Sequence, residues 1–253
     1  MSDPFGDGVD NNCDGGAECG MRTEYAERKC HGKVSVQSDA ELDAYLLDFG
    51  LHNGKYRNLE IAYNVNRPLV DIHSPCKIIV KTTKSVTGDT ICLDGRKGVR
   101  AEPSTSINGA KIAMLSEKGS VWLKTNGVIS ATTDLILQGW RQVIVGSSAT
   151  ISGTSNARFL SFGYKGTVSL NPHSAITTAV LHMAAAKKAR VASYTTVTVT
   201  GNYFMEAPIC SIHQNSVVSA GSTSGSCFAS TASLTTGEEG EEEDPELMGD
   251  DEE

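Results

Sequence analysis

The sequence predicts an all-β fold, a right-handed parallel β-helix of about seven coils with roughly 22 residues per coil. The main observation is a repeat in which an apolar residue is followed, eight positions later, by Ile or Val. The second members of these pairs are 21, 22, 22, 25, 23 and 19 residues apart, a period typical of a solenoid. The pairs are Ile78/Val86, Val99/Ile107, Val121/Ile129, Val143/Ile151, Val168/Ile176, Val191/Val199 and Cys210/Val218.

Each repeat also has the same internal order of elements. In Val121–Ile129, alternating apolar residues lead into a polar turn, and a β-branched residue follows. A further apolar run comes next, as at Leu135–Leu137. Three short strands per turn are typical of a parallel β-helix. We assign residues 180–190 (VLHMAAAKKAR) to a strand and a turn, because they fit the repeat.

The residues before the repeats are predicted to close the open end of the solenoid. A short strand over residues 32–37 precedes Ser38 and Glu41, which form a capping box. The helix that follows is predicted over Asp39–Phe49, and its apolar residues recur at helical spacing. This helix therefore serves as an N-terminal cap. Strands of the first coil are expected at Leu59–Ile61, Leu69–Ile72 and Ile78–Val80.

We divide the chain into four segments. These are an Asp/Asn/Cys-rich metal-binding segment (1–32), the N-terminal cap with the first coil (33–76), the β-helix (77–220), and a Ser/Thr-rich linker with a disordered acidic tail (221–253). Charge is segregated along them: residues 1–20 hold 5 acids, residues 237–253 hold 11, and neither stretch has a base. The remaining residues carry 14 acids and 22 bases, a net charge of +8 against −8 overall. A basic body of this kind suits an anionic partner.

The seven cysteines avoid the middle coils, and we consider all of them candidates for disulfides. Solenoids need protection at their ends, so local pairs Cys76–Cys92 and Cys210–Cys227 are expected. Each would contribute about 3 kcal/mol in the chain-entropy model. The cysteines are Cys13, Cys19, Cys30, Cys76, Cys92, Cys210 and Cys227.

Disulfides indicate an oxidising compartment. No run approaches the roughly 18 apolar residues of a membrane span, and the N-terminus shows no signal peptide. We therefore expect a secreted or cell-surface protein whose leader is absent from this chain. Buried thiols in a cytoplasmic protein are the alternative.

A metal site is predicted near the N-terminus. Asp10, Asn12 and Asp14 place side-chain oxygens at alternate positions, as in the first half of an EF-hand loop. A complete EF-hand is excluded because Met21 stands where the loop requires a bidentate Glu. Glu18 or water would have to complete the ligand shell.

The string from Gly6 to Gly15 (GDGVDNNCDG) resembles the DGxDNNCDG metal-binding motif of bacterial surface and secreted proteins, and also thrombospondin-type calcium repeats. The resemblance covers about ten residues. It implies an extracellular calcium site carried by Asp7, Asp10, Asn12 and Asp14. A zinc site formed by Cys13, Cys19, Cys30 and His31 is an alternative that lacks the usual CxxC pairs.

Enzymes are known on this fold, since the pattern is similar to that of pectate lyases and polygalacturonases. Such lyases and hydrolases need paired carboxylates on one face. Measured from the Ile or Val of their own coils, no two acids between residues 77 and 208 share a position in the repeat. These acids are Asp89, Asp94, Glu102, Glu117, Asp134 and Glu206. We therefore predict that the protein is not an enzyme.

A base precedes the first apolar residue of the repeat by two or three positions in five coils. Residues in equal positions of a β-helix stack, so these bases should form a positive stripe. Trp140 and Tyr164 stand directly before two of them and add aromatic surfaces. The stripe either binds an anionic polymer or is a solvated corner that deters edge pairing. The bases are Arg96 and Lys97, Lys118, Arg141, Lys165 and Lys188.

These observations predict a non-enzymatic, adhesin-like module that binds an anionic glycan or another component of a cell envelope. One alternative is a polysaccharide lyase or glycoside hydrolase of the β-helix type. Another is a structural shaft or spike segment, which would form oligomers. Nucleic acid suits the charge but not an extracellular location, so we expect no nucleic-acid partner.

Overall fold

A computed structural model describes residues 29–48, 50–52 and 54–229 of the chain. In chain order the elements are β1 (Cys30–Val36), α1 (Asp39–Leu47), β2 (Leu51–His52), β3 (Lys55–Ile61), β4 (Val65–Asn66), β5 (Leu69–Ser74), β6 (Lys77–Val80), β7 (Ser85–Thr87), β8 (Thr90–Gly95), β9 (Gly98–Ala101), β10 (Ser106–Ser116), β11 (Ser120–Leu123), β12 (Val128–Gly139), β13 (Gln142–Val145), β14 (Thr150–Ser161), β15 (Thr167–Leu170), β16 (Ala175–Ala185), β17 (Lys188–Val191), β18 (Thr196–Glu206), β19 (Ile209–Ile212), β20 (Val217–Ser224) and α2 (Ser226–Ala229).

These strands form a parallel β-solenoid, as the sequence predicts. One sheet, here called sheet A, stacks nine parallel strands in the order β1-β3-β6-β9-β11-β13-β15-β17-β19. The stack is longer than the seven coils expected, because β1 and β3 add rungs that lack the eight-residue apolar pair. The short hairpin strand β2 pairs antiparallel with β3.

The second sheet has two arms. In the early coils they are separate strands, β4 and β7 in one arm and β5 and β8 in the other. In the later coils one long strand forms both arms, and the register shifts where it bends, as between Gly109 and Lys111 of β10. We call the first arm face B1 and the second arm face B2.

The solenoid core consists of the apolar residues that alternate inward on all three faces. Ile107, Ile129 and Ile151 stack in direct register on face B1, and each is fully buried. Stacking of like residues at about 4.8 Å intervals explains why the same β-branched type recurs in each coil. Large side chains fill the same space in the later coils, where Phe159 and Tyr203 are fully buried.

The predicted register is wrong in the sixth coil. The pair expected there was Val191/Val199, but Val168 of β15 pairs with Ala189, and Ile176 of β16 pairs with Val197. The error is two residues, which leaves every side chain on the same face of its strand. Because residues two apart both point inward, the alternating pattern alone cannot distinguish these registers.

The corner between sheet A and face B1 repeats one backbone conformation. In six coils its turn contains a non-glycine residue with φ between 56° and 63°. Five of these residues donate their backbone N–H to a carbonyl of the following coil, so the turns stack as predicted for 81–84, 124–127 and 171–174. The residues are Thr83, Ser104, Asn126, Ser148, His173 and Tyr194.

Helix α1 closes one end of the solenoid. The Ser38 side chain accepts from the Glu41 N–H at 3.3 Å, which confirms the first half of the predicted capping box. The Glu41 side chain accepts from the Gln37 N–H at 2.7 Å, one residue before the N-cap position that the box requires. Arg67 fastens the helix to the first coil through Asp39 and Asp43, at 2.8 and 2.7 Å.

Two disulfides are defined between described residues. Cys210–Cys227 is the predicted local pair and fastens the short helix α2 to the last coil. The other predicted pair is wrong, because Cys76 bonds to Cys30 across 46 residues. Cys92 points to the outer surface of face B2 from β8, whereas Cys76 lies in the turn before β6, so neighbouring coils do not bring the two sulfurs together.

The Cys30–Cys76 bond also excludes Cys30 from the zinc alternative. Disulfides of this kind fit an oxidising compartment. Among the described residues, no helix is both long and apolar enough to cross a lipid bilayer.

Candidate functional site

The structure brings the predicted bases together at one corner of the solenoid. This basic corner joins the last residue of face B2 to the first residue of sheet A in five successive coils. Backbone hydrogen bonds stack its turns: Lys118 N–H donates to Arg96 O at 2.8 Å, and Arg141 N–H donates to Gly119 O at 2.9 Å. The turns are residues 96–97, 117–119, 140–141, 162–166 and 186–187.

Lys188 is the one predicted base that the corner does not contain. It is the first residue of β17, where it pairs with Thr167 and Ile209 in sheet A. Lys187 occupies the corner instead, and its N–H donates to Gly166 O at 2.9 Å. Lys188 was predicted for the corner because its position was measured from Val191. The residue that pairs with Val168 is Ala189, so the base two positions before it, Lys187, lies in the corner.

The corner has a strong excess of positive charge. Its five turns contain six bases and one acid, Glu117. Glu117 Oε2 lies 3.0 Å from Arg96 Nε, and Arg96 is 8% exposed. The buried Nη1 of Arg96 has no hydrogen-bond partner among the described residues, so it is a donor that a ligand could satisfy.

Three aromatic rings stand exposed at the same corner. Trp140 is 49% exposed, Phe162 is 43% exposed and Tyr164 is 80% exposed. Lys165 Nζ lies 5.2 Å from the centre of the Tyr164 ring. Exposed aromatic surface next to cations is unusual for a purely solvated turn and suits stacking against a ligand ring.

Phe162 was missed because it lies in an insertion. Its turn has five residues, where the others have two or three. Gly163 makes the close packing possible: its N–H donates to Trp140 O at 2.7 Å, and a Cβ there would lie 2.3 Å from the same oxygen. The sequence indicates this insertion through the spacing of 25 residues between Ile151 and Ile176, which is the longest in the repeat.

The outer surface of sheet A carries a second basic group that the repeat pattern did not predict. The ring centre of Trp122 lies 4.6 Å from Lys124 Nζ and 5.3 Å from Arg100 Cζ. Arg100 Nε is also paired with Glu102 at 2.7 Å. This group is smaller than the basic corner and is partly neutralised by its own acid.

The outward rows of face B1 are entirely uncharged. They consist of short polar side chains with a few Val and Ala, and a groove beside them has the single carboxylate Asp89 among its lining residues. A glycosidase needs two carboxylates across the scissile bond, and this groove does not supply them. The rows are Ser85, Ser106, Val128, Thr150, Ala175, Thr196 and Val217, and Asn66, Thr87, Asn108, Ser130, Ser152, Thr177, Thr198 and Ser219.

Face B2 begins with a charged cluster that the repeat pattern also did not predict. His73 Nε2 lies 2.7 Å from Asp71, and Nδ1 lies 3.2 Å from Asp94. Burial alone would lower the pKa of His73, but the two carboxylates outweigh it and raise that pKa to about 9. Both ring nitrogens therefore donate at neutral pH. The strand register brings this cluster together, since His73 of β5 pairs directly with Asp94 of β8.

Asp71, His73 and Cys92 place their ligand atoms within 4.8 Å of one another. Cys92 is disulfide-bonded and so offers no thiolate. A protonated imidazole also cannot bind a metal. The predicted calcium ligands Asp7, Asp10, Asn12, Asp14 and Glu18 lie outside the described residues, as do Cys13 and Cys19.

Comparisons with family models, with curated proteins and with solved structures find no match to this chain.

Proposed function

We propose that the protein is a non-enzymatic binding module, secreted or displayed on a cell surface, whose basic corner binds an anionic glycan or a similar polymer of a cell envelope. One observation carries the proposal: six bases and three exposed aromatic rings share one corner over five stacked coils. The stacked turns span about 20 Å, since parallel rungs are about 4.8 Å apart.

An extended anionic polymer fits this corner better than a small ligand. The bases follow one another along the solenoid axis, so a chain lying parallel to that axis would meet a new positive charge in each coil. Trp140 and Tyr164 offer ring faces on which a sugar ring can stack. Carboxylate or sulfate groups would pair with the bases, and Arg96 Nη1 would gain a partner.

The groove beside face B1, which is lined by one carboxylate, Asp89, favours binding over catalysis. It lacks the second carboxylate that lyases and hydrolases of this fold need. A structural shaft is the remaining alternative, and it gives no reason for exposed aromatic rings at a charged corner. The calcium site in residues 1–32 remains part of the proposal.

The test is calorimetric titration with a uronate polymer and a sulfated polymer, in calcium and in chelator. The variant replaces Lys118, Arg141 and Lys165 with Gln. We expect its affinity to fall at least tenfold, and wild-type affinity to fall as salt rises, because exposed charges are screened.

The matched control replaces Lys55, Lys84 and Lys111 with Gln, which removes the same charge away from the corner. Equal affinity in the two triple variants would show that the corner has no specific role. A wild-type affinity that is lost only in chelator would assign the binding to the calcium segment instead.

A further inference from the structure

An open groove follows the bend between faces B1 and B2 through the first four coils. Its volume is about 540 Å³, which is within the range of small-ligand sites. One wall is an outward row of face B1 whose side chains recur about every 4.8 Å over roughly 14 Å, because the strands pair in direct register. This row consists of Asn66, Thr87, Asn108 and Ser130.

Backbone alone forms part of the floor of this groove. In the first three coils the bend has two residues (67–68, 88–89 and 109–110), and glycine is the first of them in two coils. A Cβ at Gly88 would lie 2.3 Å from Arg67 O, and a Cβ at Gly109 would lie 2.6 Å from Gly88 O. Neither position therefore accepts a side chain without a shift of the backbone.

Hydrogen bonds between successive bends hold the floor in place. Asp89 N–H donates to Pro68 O at 2.8 Å, and Ala110 N–H donates to Asp89 O at 2.9 Å. The fourth bend has three residues (131–133), and Thr133 Oγ1 donates to Ala110 O at 2.8 Å. A ligand would thus meet a pre-formed site, which lowers the entropic cost of binding.

In the later coils, threonine hydroxyls occupy the same bend. Thr154 Oγ1 donates to Thr133 O at 3.2 Å, and Thr178 Oγ1 donates to Thr154 O at 2.9 Å. The outward row of face B1 continues past the groove as far as Thr198 and beyond, but only residues of the first four coils line the groove. The later coils therefore supply matched positions outside the site.

The lining of the groove is polar and almost neutral. Asn108 Nδ2 donates to Ser106 Oγ at 2.9 Å, which leaves the amide oxygen of Asn108 to accept from a ligand. Arg67 is paired with two carboxylates of α1, so its charge is neutralised. Asp89 is exposed and forms no ion pair with another described residue, so it is the uncompensated charge of the groove.

This lining matches the chemistry of a neutral sugar chain. Amide and hydroxyl side chains both donate and accept hydrogen bonds, as sugar hydroxyls do, and here they recur along the solenoid axis. The carboxylate of Asp89 accepts from hydroxyls and repels carboxylate or sulfate groups. The groove therefore prefers an uncharged ligand, whereas the basic corner prefers an anionic one.

We propose that this groove is a second binding site, which takes a short neutral oligosaccharide lying along the solenoid axis. Face B2 separates the groove from the basic corner in every coil that lines it. The site is distinct from the one in the proposed function and does not depend on it.

The first test is calorimetric titration of the full chain with three uncharged sugars: cellotetraose, maltotetraose and N-acetylchitotetraose. We expect at least one to bind with millimolar or tighter affinity. That affinity should be the same at low and high salt, because no ion pair is formed. Binding of none of the three, or binding of an uncharged Ser/Gly tetrapeptide instead, would overturn the proposal.

Thr87→Val and Thr198→Val are a matched pair for locating the sugar. Both threonines are partly buried in the same outward row, and of the two only Thr87 lines the groove. We expect Thr87→Val to lower the affinity about fivefold, the loss expected for one neutral hydrogen bond, and Thr198→Val to leave it unchanged. Asp89→Ala should lower it about tenfold, since hydrogen bonds to a charged group are stronger. Equal affinities of the two threonine variants would place the sugar outside the groove.

The corner variant separates this proposal from the proposed function. Replacing Lys118, Arg141 and Lys165 with Gln should leave the affinity for the neutral tetrasaccharide within about twofold, because distant sites act independently. An equal loss of neutral and anionic ligands in that variant would assign both to the corner and overturn the groove site.

Discussion

The basic corner and face B1 belong to the same coils and yet have opposite chemistry. Six bases and three exposed rings stand at the corner, whereas the two outward rows of face B1 hold no charge. On a flat parallel face, each side chain meets its counterpart about 4.8 Å away in both neighbouring coils, so like charges there repel at every rung.

The repulsion between like charges in neighbouring coils is weaker at the corner because its turns vary in length. Two, three, two, five and two residues connect face B2 to sheet A in successive coils. Because these turns differ in length, their residues do not match one to one between neighbouring coils. Face B1 therefore serves stability, and the irregular corner is free to carry recognition.

The largest change in stability is expected for a substitution on the inner side of face B1. Ile129→Ala removes a fully buried side chain from the core ladder, and we expect a loss of about 2–4 kcal/mol in the free energy of unfolding. Ser130→Ala, one residue away on the outward row, should change it by less than about 0.5 kcal/mol. Urea denaturation measures both, and similar losses would contradict the assignment of inner and outer rows.

A smaller effect concerns His73, where a face of the solenoid does carry charge. Its pKa is raised from 6.5 to about 9 in the folded protein, so its contribution is complete below pH 6.5 and is lost as pH rises through 9. We expect the free energy of unfolding to fall by roughly 2–3 kcal/mol across that window.

His73→Gln should flatten this pH dependence, as measured by urea denaturation at several pH values. A wild-type profile that is level between pH 6.5 and 9 would show that the imidazolium is not paired as the structure has it. The wild-type and His73→Gln profiles together test whether a charged residue on a face is stable only when carboxylates on the same face neutralise it.

The smallest effect is expected at the basic corner. Replacing Lys118, Arg141 and Lys165 with Gln should change the free energy of unfolding by less than about 1 kcal/mol, since exposed charges contribute little to stability. Thermal denaturation of the triple variant measures this. A large destabilisation would mean that the corner has a structural role. A loss of binding in that variant could then result from partial unfolding and would not show that the bases contact the ligand.

Much of the fold was predictable because each coil repeats one local rule. The Ile and Val ladder, the polar turns and the capping box at Ser38 and Glu41 are all local in sequence. The site was predictable only in part. Arg96, Lys118, Arg141 and Lys165 were found by position in the repeat, whereas Lys188 was misplaced by the two-residue register error.

The solenoid, its N-terminal cap and the basic character of one corner follow from the sequence, because they depend on alternation and period. The folded structure was needed to show which residues meet across coils. It joined Cys30 to Cys76, brought His73 between Asp71 and Asp94, and exposed Phe162 in a turn of the same corner as Trp140. Contacts of this kind depend on the exact register between coils, and a slip of two residues leaves the alternating pattern unchanged.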